Sequence, residues 1–366
     1  MIFRPAIRRA SRGFTLVELL AATVVLAMLM LACVTALDTV RRSVSTVRGK
    51  AQQFREARQA FELITRTLSQ ATLNTYWDYH FTATGSNIPP AGVVTPPSAY
   101  VRHSELQFQI GKASQLLGAG SSDPKNPGHA VFFQAPLGLT QHQGDLGSLL
   151  NARGYAVQFT QDDSDRPPFL SDYSIHTRHR YALVEFRPPA ERTSTFQGNT
   201  IYTHPDNWFQ QDLNNSVRVV AENIILLLLS PRVSAEAAGA ANKSADWIAP
   251  KYTYNSLDAD NSSPSLDKVK IVPGGVVDQG TQHLLPPLIQ VTMVALDEVS
   301  AAKWAEEYGS SGEDILTKAS ASFENASAYD SDLTKLESWL LEKRFNYQVF
   351  SSSIQLRNAR WDSRTF

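Results

Sequence analysis

The rhythm of apolar and polar positions changes more than once along the chain. Residues Phe14 to Leu37 form a 24-residue run whose only charge is Glu18. A helix of about 20 apolar residues, rising 1.5 Å each, crosses a bilayer core of roughly 30 Å, so the run predicts a membrane span. Beyond it, Leu37, Val40, Val44, Val47, Ala51, Phe54, Ala57, Phe61, Ile64, Leu68 and Ala71 recur at steps of three or four. Arg48, Lys50, Glu56, Arg58 and Arg66 fall mostly between them. That is one apolar stripe on a continuing helix. No proline occurs from Phe14 to Ile88, and the predicted helix runs from Phe14 to about Leu73, roughly 90 Å at helical rise. A dimeric coiled coil is the competing reading, but its seam would lack the Leu and Ile density such coils use.

After Thr75 the helical period gives way to short apolar alternations separated by Pro, Gly, Asn and Ser clusters, the pattern of strands and loops. Strands are expected at Glu105–Ile110, Ala130–Gln134, Tyr155–Thr160, Tyr181–Phe186, Lys268–Val272, Leu288–Leu296 and Asn346–Leu356. Within Leu288–Leu296, Ile289, Val291 and Met293 alternate with Gln290 and Thr292, which predicts one buried and one solvated face. The uniformly apolar Ile224–Leu229 reads as a central strand. Two late helices are expected, Ser300–Tyr308 and Asp332–Lys343, the latter with Leu333, Leu336 and Leu340 on one face. Gly85–Pro97, Gly118–Gly128 and Ser234–Ser265 read as long insertions or mobile loops. The aromatic cluster around Trp77 reads as core filling, with ligand binding as the other choice.

The resulting fold class is α+β: a long N-terminal transmembrane and amphipathic helix packed on a mainly antiparallel β head with long loops. Residues 1–13 precede the helix, residues 14–73 form it with 14–37 in the membrane, and residues 74–366 form the head. Composition fits a large core, with 43% hydrophobic and 19% charged residues over 366 positions. A net charge of −1 gives no global basic field for nucleic acid, so no nucleic-acid partner is expected. Cys33 is the single cysteine, which excludes an intrachain disulfide.

Charge matters most at the front. Arg4, Arg8, Arg9 and Arg12 precede the span with no acid among them. A secretory signal peptide would need a shorter apolar run and a small-residue cleavage site. A lipoprotein signal would lipidate Cys33 and discard most of the span. A plain signal anchor leaves Glu18 unexplained, since a carboxylate within a membrane helix costs about 2.5–3.5 kcal/mol on insertion scales. Arg41, Arg42, Arg48 and Lys50 follow the span, so the positive-inside rule does not decide orientation.

The string Arg12-Gly13-Phe14-Thr15-Leu16-Val17-Glu18-Leu19-Leu20 resembles the processing site of type IV prepilins and pseudopilins, with glycine, phenylalanine, an apolar stretch and a glutamate fifth after the cut. The resemblance implies cleavage after Gly13 by a prepilin peptidase on the cytoplasmic side and N-methylation of Phe14 by the same peptidase/methylase. It also implies that Glu18 meets the terminal amine of an adjacent subunit. A charged amine in apolar surroundings is tolerable when paired and costly alone.

Further along, Arg180–Phe186, Val220–Ile224, Pro286–Glu298 and Leu356–Trp361 resemble the Verru_Chthon cassette protein C family of prepilin-type proteins. Their order behind an apolar helix is similar to J-type minor pseudopilins of type II secretion. These resemblances imply a structural subunit of a secretion or pilus-like filament, anchored in the inner membrane with its head in the periplasm. Its partners would be other pilin-like subunits, and no cofactor is implied.

Catalytic motifs are sparse. His176-x-x-His179 has ligand spacing without an apparent third ligand, and Tyr181 opens a strand just behind it. Asp162-Asp163-Ser164-Asp165 and Asp258-Ala259-Asp260-Asn261 could offer oxygens to calcium but continue into no EF-hand pattern. Gly309-Ser310-Ser311-Gly312 fails the nucleophile-elbow spacing, and Pro273-Gly274-Gly275 reads as a turn. A non-enzyme is therefore expected. The alternative is an anchored extracytoplasmic hydrolase or carbohydrate-binding module whose helix serves only as a tether.

Overall fold

A computed structural model describes residues 16–81, 83–85, 88–92, 94–118, 125–140, 149–161, 178–190, 208–212, 216–258, 270–272, 276–308 and 315–361. The chain divides into two compact units, Met1–Gln52 and Gln53–Phe366, and helix α1 (Leu16–Leu68) contributes to both. Within the described residues the first unit is helix alone.

The second unit begins with the end of α1, where the apolar stripe becomes a packed surface. Ala57, Ala60, Phe61, Ile64 and Leu68 are buried, while Arg55, Glu56, Arg58 and Glu62 are exposed between them. The helix closes at Leu68, earlier than the expected Leu73. Gln70 N–H bonds Thr67 C=O and Ala71 N–H bonds Leu68 C=O, both at 3.0 Å, so the last turn tightens. Thr72 N–H then donates to Gln134 C=O at 2.9 Å, which hands the chain to a strand.

That strand belongs to a six-stranded antiparallel sheet with the order β7 (Val217–Glu222), β6 (His179–Phe186), β5 (Leu150–Gln161), β4 (His129–Pro136), β3 (Gln109–Lys112), β9 (Tyr254–Asn255). Both of its faces are covered. Val131, Phe133, Tyr155, Val157, Tyr181 and Leu183 join the core that holds the end of α1. Their neighbours Phe132, Ala156, Val184 and Phe186 join a smaller core with Trp208 and Phe209 of the 3-10 turn Trp208–Asp212. Gly154 makes this second layer fit. A Cβ there would lie 2.4 Å from the Phe132 ring, so only glycine lets that ring lie across the strand and stack on Phe209 at 3.6 Å.

A row of polar groups fastens α1 to the sheet. Thr67 Oγ1 and Tyr155 OH are 2.8 Å apart, Tyr155 OH donates to Glu185 Oε1 at 2.9 Å, and Arg218 Nε donates to Glu185 Oε2 at 2.8 Å. Arg153 Nε lies 3.5 Å from Glu185 Oε1. Glu185 and Arg153 are both buried. Burial pushes the Arg153 guanidinium below its usual value while Glu185 opposes that shift.

The second sheet has three antiparallel strands in the order β13 (Tyr347–Gln355), β12 (Leu288–Leu296), β8 (Ile224–Arg232). Its bounds match the expected strands closely, but its coverage does not. β8 is an edge strand rather than a central one, and it is buried because it packs on β4, β5 and β6. The free edge of β8 meets a side chain, with Leu229 N–H donating to His129 Nδ1 at 3.1 Å. Burial pushes His129 down to about 3, which keeps the ring neutral as an acceptor must be. On β12 the expected solvated face is covered. Thr292 is fully buried, and its Oγ1 lies 2.7 Å from Tyr329 OH and 2.9 Å from Ser351 Oγ. β13 is the outer strand, with Ser351, Ser352 and Ser353 exposed.

Two hairpins complete the β structure of the described residues: β1 (Tyr76–His80) with β2 (Ala99–His103), and β10 (Lys270–Val272) with β11 (Val276–Asp278). The short helices are α2 (Ala113–Leu116), α3 (Ala235–Ala240), α4 (Glu298–Tyr308), α5 (Ile315–Lys318) and α6 (Tyr329–Glu342). Leu336 and Leu340 of α6 are buried as expected. The α+β architecture expected from the sequence is the one observed.

Three further local expectations fail. Residues 104–108 are not strand, because Asn74 Oδ1 takes the N–H groups of Glu105 and Leu106 and the Ser104 hydroxyl. The stretch Ser234–Ser265 is no loose insertion over its described part, since it carries α3 and β9 and buries Ile248, Ala249 and Tyr252. The third, the cluster around Trp77, bears on function.

Candidate functional site

Gly13 and Phe14 lie outside the described residues. Glu18 stands in the first turn of α1, with its backbone helical and its side chain outside the description. Directly behind it, Leu19–Asp38 is a 20-residue stretch long and apolar enough to cross a membrane, with none of it buried. Leu20, Val25, Leu29, Leu31 and Val34 are each more than half exposed. In water such a surface would be a liability, whereas lipid is the solvent that suits an apolar helix all round.

The polar groups inside the stretch are settled within the helix. Thr23 Oγ1 donates to Leu20 C=O and Thr35 Oγ1 to Ala32 C=O, both at 2.9 Å. Hydroxyls that bond their own backbone put no unmatched donor into hydrocarbon. Cys33 is a free thiol on the exposed surface of this helix.

Among the described residues, the chemistry-bearing candidates of the head form no shared site. His176, Asp162, Asp163, Asp165 and Asp260 lie outside the described residues. His179 sits on β6 with its ring stacked on Phe159, centroids 5.6 Å apart. Among the described residues no group of three His, Cys, Asp or Glu side chains could hold a metal ion. A cavity of about 40 Å³ lined by Thr72, Thr75, His283, Asn358 and Arg360 has room for a few waters. His283, buried at its wall and beside His103, is pushed down to about 4 by burial and by the nearby His103 and Arg102.

The aromatic cluster expected to fill the core is on the surface instead. Trp77 is 69% exposed, Tyr79 50% and Tyr100 63%. Register explains it. Trp77 pairs with Arg102 and Tyr79 with Tyr100, so these four side chains share one face of the hairpin, while Val101 and His80 turn inward on the other. Tyr100 and Arg102 were not singled out from sequence. The alternation of β2, Ala99-Tyr100-Val101-Arg102, was the available signal.

Residues 8–34 match the family described as the prokaryotic N-terminal methylation motif. No curated protein and no solved structure matches the chain. The motif marks a prepilin-type, pilin-like precursor, of a kind processed by a prepilin peptidase and assembled with other pilin subunits. Such subunits are structural and typically non-enzymatic. Together, the motif and the one membrane-length apolar helix among the described residues fit a single-pass membrane-anchored protein.

Proposed function

We propose that the chain is a minor pilin-like subunit, of the J-type found in type II secretion or a related pilus-like filament, and close to the Verru_Chthon cassette protein C family. The observation that carries this reading is the methylation motif at residues 8–34 running straight into the bare apolar helix Leu19–Asp38. Cleavage follows Gly13, whose lack of a side chain lets a protease approach the backbone. Phe14 becomes the methylated terminus. Glu18, one helical turn away, supplies the carboxylate that pairs with the terminal amine of a neighbouring subunit in lipid, where a missing partner is costly. The leader stays in the cytoplasm and the head lies in the periplasm. A head of residues 74–366 favours a tip or priming position over repeated stacking along a shaft.

Mass spectrometry of the native N-terminal peptide tests the reading. The mature chain is expected to begin at a methylated Phe14. Retention of the arginine-rich leader, or loss of the apolar stretch, overturns it. Gly13→Leu should leave an uncleaved precursor, and Glu18→Val should insert into the membrane yet fail to assemble.

A further inference from the structure

We propose that the exposed face of the β1–β2 hairpin is a glycan-binding platform on which pyranose sugar rings stack against Trp77, Tyr79 and Tyr100. This goes beyond the filament reading and does not depend on it. The face carries three large rings, with Tyr79 and Tyr100 directly opposite each other at 5.5 Å between centroids, while the Arg102 guanidinium turns to the Gly280 carbonyl. Trp77 and Tyr79, two residues apart on β1, present their rings on the order of 7 Å apart along the strand.

The platform is held firmly. Arg102 N–H donates to Gln279 Oε1 at 2.6 Å, Gln279 Nε2 donates back to Arg102 C=O at 2.8 Å, and Arg102 Nη2 donates to Gly280 C=O at 2.8 Å. Val101 and His80 are buried beneath it, and β11 lies against β2. A rigid surface loses little conformational freedom on binding. Exposed rings on a fastened hairpin therefore mark a contact surface rather than a frayed one.

The composition and extent of the face choose the occupant. Asp78, the one acid on β1 and β2, points to the opposite face, so neither strand of the hairpin sets a carboxylate among the rings to recruit a cation. Aliphatic Ala99 and Val101 also point the other way, which leaves only side chains with a flat apolar body and a polar tip. Three rings of roughly 150–250 Å² each, half to two-thirds exposed, offer on the order of 400 Å². That is about half of the ~800 Å² per partner of a stable protein interface. A glycan matches this surface, since its pyranose rings offer flat C–H faces to the aromatics and hydroxyls to the tyrosine and indole tips.

The test uses the full chain in a zwitterionic detergent without a sugar head group, probed on an array of pyranose oligosaccharides and then by titration with the best-retained hexasaccharide. Retention of at least one glycan is expected. Trp77→Ala should weaken it about tenfold, and Tyr79→Ala or Tyr100→Ala about three- to tenfold, the loss of one ring contact each. Tyr79→Phe should weaken binding less than Tyr79→Ala does, because the ring supplies most of the surface and the hydroxyl a single tip contact. Since all three side chains are more than one-third exposed, each variant should unfold at the unaltered temperature. No retained glycan, or binding indifferent to Trp77→Ala, overturns the proposal. So does a Trp77→Ala variant whose only defect is lost self-association, because the face would then join two protein copies. Processing at Gly13 is read separately from the N-terminal mass and is unaffected by any of these outcomes.

Discussion

The two parts of α1 are built from similar apolar residues and end in opposite surroundings. Between Leu19 and Asp38 the apolar side chains face every direction and none is buried. Between Ala57 and Leu68 they occupy one stripe, and the stripe is sealed against strands. The difference lies in what is interleaved. Charged residues at every fourth position, Arg58, Glu62 and Arg66, confine the second segment to a protein core, and their absence commits the first to lipid. Hydrophobicity alone does not say which solvent a helix is written for.

The strongest challenge to this contrast strikes the polar row that fastens the second segment. Glu185→Ala should destabilise the head by about 3–5 kcal/mol, because Arg153 is left charged and buried without a counter-charge. Denaturant unfolding of the full chain measures this. A loss under 1 kcal/mol would mean that the row contributes little to holding the helix.

A matched pair sharpens the comparison directly. Ile64→Ala, at a fully buried position, should cost about 2–5 kcal/mol through lost packing and the cavity left behind. Leu26→Ala removes the same kind of surface from the bare segment and should leave head unfolding unchanged. Equal effects from both would erase the distinction between the two parts of α1.

Stability should also depend on pH. His129, held near 3 in the folded head, and His283, held near 4, both titrate near 6.5 when unfolded. The unfolded chain therefore binds more protons through that window. Stability is complete above about pH 6.5 and falls as pH drops toward 4, by up to about 1.4 kcal/mol per pH unit for each histidine. Thermal unfolding at pH 7.5, 6 and 5 should show a falling midpoint, and His129→Gln should flatten the slope. A midpoint unchanged over that range would place both rings in contact with solvent.

Much of the architecture was legible. Leu288–Leu296 is reproduced to the residue, and Ala130–Gln134, Tyr155–Thr160 and Tyr181–Phe186 lie within longer strands. Alternation reports a period of two, but it is silent on what covers each face. Thr292 looked solvated until Tyr329 came to lie over it, and Trp77 looked buried although nothing covers its side of the hairpin among the described residues. Similarly, the central appearance of Ile224–Leu229 came from burial by a second sheet, which local sequence does not encode. Gly154 gave no signal of its own, because the reason for it is a ring twenty-two positions earlier in the chain. At the front the opposite held. The nine residues from Arg12 to Leu20 carried the recognition before any fold was known, since a peptidase reads a linear string.

His129 has a role at the border of the smaller sheet. Tethered neighbours diffuse in two dimensions and collide often, and an open backbone border invites fusion into a shared sheet. On one side an imidazole nitrogen occupies an amide that a foreign strand would need. On the other, three serines keep the rim wet, so crowding at the bilayer need not become aggregation.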